Sequence, residues 1–146
     1  APDELQAMAR EILDAISDLY NTVNQRTEKM TSAEMQRHIH SAQLRHQVVD
    51  QICKDLGLER LSIDVESASF FTDLNNELCH SLTYFIERQA QQLPNIIYRV
   101  DLDERTVRNM LEHPDTNAAN GLAELIILRE MKKVFYRNVY AGKIKL

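Results

Sequence analysis

Residues 118–141 read AANGLAELIILREMKKVFYRNVYA. The first turns, Leu122-Ala123-Glu124-Leu125-Ile126-Ile127-Leu128, are apolar on most sides. A helix with no clear polar face is one that its neighbours enclose. The second half turns basic and tyrosine-rich, and Gly142 follows as a stop. This spacing predicts a helix over 118–141 that is the most enclosed in the chain. Such a helix needs other elements around it, and the remaining sequence offers helices.

The chain has 146 residues with three Gly and three Pro, about a third of average usage for the two types together. All-β folds need turns every few residues, which Gly and Pro commonly supply. Gly57, Gly121 and Gly142 lie far apart, so neither a Rossmann nor a P-loop phosphate turn can be written. The expected fold is all-α. It is a single-domain helical bundle over 1–146, with three to four long helices, one or two short ones, and a basic tail at 142–146.

Working outward from 118–141, the first helix is expected from Asp3 to Arg26, with Lys29 its outer limit. Leu5, Ala9, Ile12, Ile16, Leu19, Val23 and Met30 form a bundle seam, widened by Met8, Leu13 and Tyr20. Thr31 and Glu34 resemble a capping box opening a second helix. Met35, Ile39, Ala42, Val49, Ile52 and Leu56 form its core face, and Gly57 with Leu58 ends it in a Schellman pattern. A third helix is expected over about 64–92, with Phe71, Leu74, Leu78, Leu82, Phe85 and Leu93 inward, stopped near Pro94. The stretch 95–102, NIIYRVDL, has strand-like residues but is read as a short helix or an extended linker. Asp103 caps a short helix over 104–112, with Leu102 and Val107 as a hydrophobic staple, and the EHPD turn at Pro114 closes it.

The net charge is −5, which disfavours non-specific binding to nucleic acid or an anionic membrane. Residues 129–146 hold Arg129, Lys132, Lys133, Arg137, Lys143 and Lys145 against Glu130 alone, a net of +5, so residues 1–128 carry −10. Cys53 and Cys79 show no CxxC spacing and are expected to be free, buried thiols of a reducing compartment. No charged-then-apolar leader opens the chain. Its longest charge-free apolar run, Leu125–Leu128, is far below the ~20 residues of a membrane helix. The expected compartment is the cytoplasm.

Glu77 and His80 match the Glu-x-x-His pattern of di-iron helical bundles. Only one such motif is present, and at about 100° per residue both lie well away from the Leu78–Leu82 face. His38, His40 and His46 lie in a histidine-rich stretch, but His38 and His40 point to opposite sides of a helix. His46 with Asp50 gives two metal ligands at most. Cys79 beside His80 is mid-helix, not on the strained turn or helix start where nucleophiles are activated. No cofactor is expected, and Glu77, His80 and His46 are the weak metal candidates.

The basic helix is the stronger signal. Arg129, Lys132, Lys133 and Arg137 share one side, with Tyr136 and Tyr140 interleaved. Cations near a helix C-terminus also complement the macrodipole. The expected function is a non-enzymatic interaction module: a small adaptor, regulator or subunit of a larger assembly. Its expected partner is a protein with an acidic surface meeting these six residues, or a second copy pairing through helix faces. A helical metalloprotein or small-ligand enzyme using Glu77, His80 and His46 is the alternative, and nucleic-acid binding through the basic helix the second.

Overall fold

A computed structural model describes residues 2–112 and 117–145. Among these residues the structure is helical and has no strand. The helices are α1 (Pro2–Lys29), α2 (Ser32–His38), α3 (Ala42–Leu56), α4 (Phe70–Arg88), α5 (Leu93–Val100), α6 (Glu104–Leu111) and α7 (Ala118–Tyr140). The EHPD turn at Pro114 and the side chain of Val23 lie outside the described residues.

The apolar pattern of 118–141 makes α7 the axis of the fold. It touches each of the other six helices. Ala119, Leu122, Ala123, Ile126, Ile127, Met131, Val134 and Phe135 are buried along it. They share one core with Phe70, Leu74, Leu78, Leu82 and Phe85 of α4 and Val48, Val49, Ile52 and Leu56 of α3. Gly121 is the one glycine inside a helix, and a Cβ there would sit 2.7 Å from Met110 Sδ. Its lack of a side chain makes room for the Met110 thioether of α6 against α7.

Local chemistry explains where the segments break. The expected second helix is two, because the Ser41 hydroxyl accepts the Leu44 N–H and starts α3 afresh after Ile39. The Thr31 cap on the Glu34 N–H stands where expected. So does the left-handed Gly57, whose successor Leu58 donates to Cys53 O at 2.9 Å. The third helix starts at Phe70 rather than near 64. Asp64, Ser67 and Ser69 first form a chain of side-chain and backbone turns. It ends at Arg88, ahead of a 3-10 turn over Ala90–Gln92. Phe70, not Phe71, is the buried ring of the pair.

Of residues 95–102, those up to Val100 are helix, the greater part of α5. Pro94 stands in the first turn of α5, and Ile96 and Val100 are buried. Asp101 ends the helix in the left-handed region, at φ 67, where a C-terminal cap forms. Leu102 donates to Ile97 O at 3.0 Å, completing that cap.

Arg45 ties the long α3–α4 connection down. Its guanidinium donates to Ile39 O at 3.3 Å and to Val65 O and Ser67 O at 3.1 Å. It also lies 5.0 Å from the Phe70 ring centre and 5.3 Å from that of Phe71, within cation–π reach of both. The largest departure from expectation is α1. Most of its seam is outside the core: Leu5, Met8, Ile12, Leu13, Ile16, Leu19 and Tyr20 are between 47% and 68% exposed, while Met30 packs against the core. The helix forms, but it leaves the body.

Candidate functional site

The candidate site is the exposed face of α1 together with the seat that holds the helix. At about 100° per residue, Leu5, Met8, Ala9, Ile12, Leu13, Ile16, Leu19 and Tyr20 occupy an arc of roughly 140°. Asp3, Glu4, Arg10, Glu11, Asp14 and Asp18 all lie outside it, within roughly 120° on the opposite side. The helix thus has one wide uncharged face and one acidic face, and residues 2–22 are exposed on both.

The seat is the end of α7. Tyr140 stacks on Tyr20 at 6.3 Å between ring centres, and Tyr136 stacks on Tyr140 at 6.3 Å. The Tyr136 hydroxyl donates to Asn24 Oδ1, Lys132 Nζ donates to Glu28 O at 3.3 Å, and Thr27 is fully buried. Burial pushes the Tyr136 hydroxyl above its ordinary pKa, and burial beside Arg129 pulls Lys132 below its own. All of these contacts lie in the C-terminal third of α1. The stretch Pro2–Leu19 precedes them and projects past the seat as about 27 Å of helix.

The residues expected to grip a partner have their main contacts inside the chain. Arg129 pairs with Asp101, donating to its Oδ2 at 2.8 Å and its main-chain oxygen at 3.2 Å. It thereby braces the left-handed turn between α5 and α6. Lys133 donates to Asp55 Oδ2 at 2.9 Å, Arg99 O at 2.9 Å and Glu130 Oε1 at 3.1 Å, so its three protons are all engaged. Arg137 reaches Gln51 Oε1 at 3.3 Å. Lys132, Tyr136 and Tyr140 form the α1 seat.

Lys133 belongs to a buried network that the sequence pattern did not reveal. Glu130 is fully buried, and its Oε2 has no hydrogen-bond partner among the described residues. Burial foremost, then the neighbouring Asp55 carboxylate, pushes Glu130 up to about 8, against the pull of Lys133. Burial also acts upward on Asp55, but the adjoining Glu130 carboxyl, the hydrogen bonds from Lys133 and Gln51 and the Lys133 charge hold it below its ordinary value. One proton therefore resides on Glu130, and one charge of each sign remains on Asp55 and Lys133. This is a neutral internal tie between α3, α5 and α7.

Glu77 and His80 lie on α4 away from its buried face, and exposed His46 pairs with Asp50 at 3.4 Å. Among the described residues no three His, Cys, Asp or Glu side chains gather in a way that could hold a metal ion, so these three are not brought together. His38 packs on Phe135 at 5.0 Å, and His40 Nδ1 lies 3.0 Å from Arg37 O. Cys53 and Cys79 are free and half-buried rather than buried, and burial with nearby Asp50 raises the Cys53 thiol. Among the described residues no helix is long and apolar enough to cross a membrane.

No family model matches the chain, and no curated protein or solved structure shows significant similarity to it.

Proposed function

We propose that the chain is a non-enzymatic protein–protein interaction module, an adaptor, regulator or subunit, whose docking element is the apolar face of α1. The observation that carries this reading is that face. Its large side chains run from Leu5 to Tyr20, each about half exposed or more. Together they present roughly 700 Å² of surface, whereas the largest patch on a typical monomer reaches about 600 Å² at most. The face is continuous rather than scattered, and Pro2–Leu19, which carries most of it, is exposed throughout. Most helical stability in proteins comes from packing of an amphipathic face, so a partner on this face stabilises the projecting part of α1 itself. In this reading α1, α3, α4 and α7 are the long helices of the expected bundle, and the partner completes the packing around α1.

The basic stripe takes a different role from the one its sequence implied. Lys132, Tyr136 and Tyr140 seat α1 and fix its direction, while Arg129 and Lys133 brace α5. Two variants separate the roles. Replacing Ile12 and Ile16 by Asp removes cross-linked complexes of the full chain in its native cell and leaves the melting of the body unchanged. Reversing Arg129 and Lys132 to Glu lowers the melting temperature. Complexes that survive the double Asp variant unaltered would show that α1 is not the docking element.

A further inference from the structure

The breadth, charge and area of the α1 face identify one occupant. We propose that it is covered by α1 of a second copy of this chain, an inference that rests on α1 being the docking element.

Charge is the first argument. Where two helices meet, charges flanking the apolar seam select the partner and exclude others. From residue 3 to residue 20 of α1 every charge lies on the far side, so the flanks beside Leu5, Ile12, Ile16 and Leu19 carry no such code. A helix of this kind meets its own copy without like charges facing across the seam. The outer face holds Asp3, Glu4, Glu11, Asp14 and Asp18 against Arg10, a net of −4. An anionic membrane surface would require the opposite, a Lys- and Arg-rich polar face.

Area is the second argument. A standard stable interface takes about 800 Å² from each partner, and one α1 face offers roughly 700 Å². Two copies of the same patch make an isologous contact of about standard size, the commonest closed symmetry of soluble proteins. Continuity points the same way. Leu13 and Tyr20 lie on the side of the stripe that meets Tyr140, so the face runs without a break from the packed base of α1 to its exposed length. A neighbouring helix along it extends packing that the chain has already begun.

Sedimentation of the full chain between about 1 and 100 µM tests this, because a self-associating protein changes mass with concentration. Particles of two or more chains are expected, insensitive to added salt because the contact is apolar. Ile12→Asp with Ile16→Asp should leave a single chain with reduced helical circular dichroism and an unchanged body melting temperature. Asp14→Lys, on the outer face, should leave the assembly intact. A wild-type chain that stays single at the upper end of that range overturns the self-pairing. If cross-linked complexes in the native cell still depend on Ile12 and Ile16, the docking reading stands with a different partner. If they do not, both readings fall.

Discussion

Replacing Glu130 by Gln should stabilise the protein at neutral pH, and the gain should vanish on acidification. The wild-type carboxyl titrates at about 8 in the folded chain, against 4.5 as the ordinary value. Between those limits the unfolded state binds fewer protons than the folded one, so stability falls as pH rises. The slope is about 1.4 kcal/mol per pH unit, giving about 3 kcal/mol by pH 7 and a ceiling of about 5 kcal/mol above pH 8. Gln keeps the shape of the neutral acid, accepts from Lys133 and donates toward Asp55, and has no proton to lose. Relaxation around the site trims the figure, so a gain of about 2 kcal/mol at pH 7 is the expectation. Urea unfolding followed by circular dichroism at pH 5, 6, 7 and 8, at one protein concentration, measures it. The two curves should nearly coincide at pH 5 and diverge steadily, with equal m-values. Groups common to both proteins cancel in the difference. A difference that stays constant from pH 5 to pH 8 would refute the protonated Glu130.

Arg45→Lys keeps the charge but loses the planar fork that holds Ile39, Val65 and Ser67 together and covers Phe70. It should cost about 2 kcal/mol and raise amide exchange across residues 58–69 more than in α7; uniform exchange changes would contradict the clamp. Gly57→Ala forces a side chain into the left-handed turn, although nothing lies within 4 Å of the new Cβ. The loss should be about 1 kcal/mol from backbone strain alone, and Gly57→Asn, which tolerates that conformation, should recover part of it in the same melting experiment.

Much of the fold is legible in the sequence because its signals are local. Thr31, Gly57 and Asp103 announce helix ends through hydrogen bonds to residues a few positions away, and 118–140 declares its enclosure by composition. Ser41 is legible in principle as an N-cap, but the apolar spacing on either side reads through it as one helix. Residues 64–69 mislead for the same reason: Asp64, Ser67 and Ser69 satisfy the backbone with side chains, which a hydrophobic period does not register. The buried network is out of reach. Glu130 stands beside Arg129 and one turn from Lys133, so its charge looks like part of a solvated basic stripe. Only packing against Asp55, far earlier in the chain, makes it an internal acid.

The α1 stripe shows where periodicity stops carrying information. Its spacing of three and four is the same whether the face meets its own chain or another, so the period foretells an apolar face and not what meets it. Length distinguishes the cases. The α1 helix has 28 residues, α3 has 15 and α4 has 19. At the α-helical rise these are about 42 Å, about 22 Å and about 28 Å. The longest companion, α7, spends its faces on six neighbours and reaches α1 through its last turns at Lys132, Tyr136 and Tyr140. Among the described residues no helix of the body therefore spans the stripe from Leu5 to Leu19. The basic residues meet the complementary limit. A stripe that looks like a charged grip in one dimension is, in three, the anchor for α5 and α1. The proposed docking surface lies on the helix that those residues hold out.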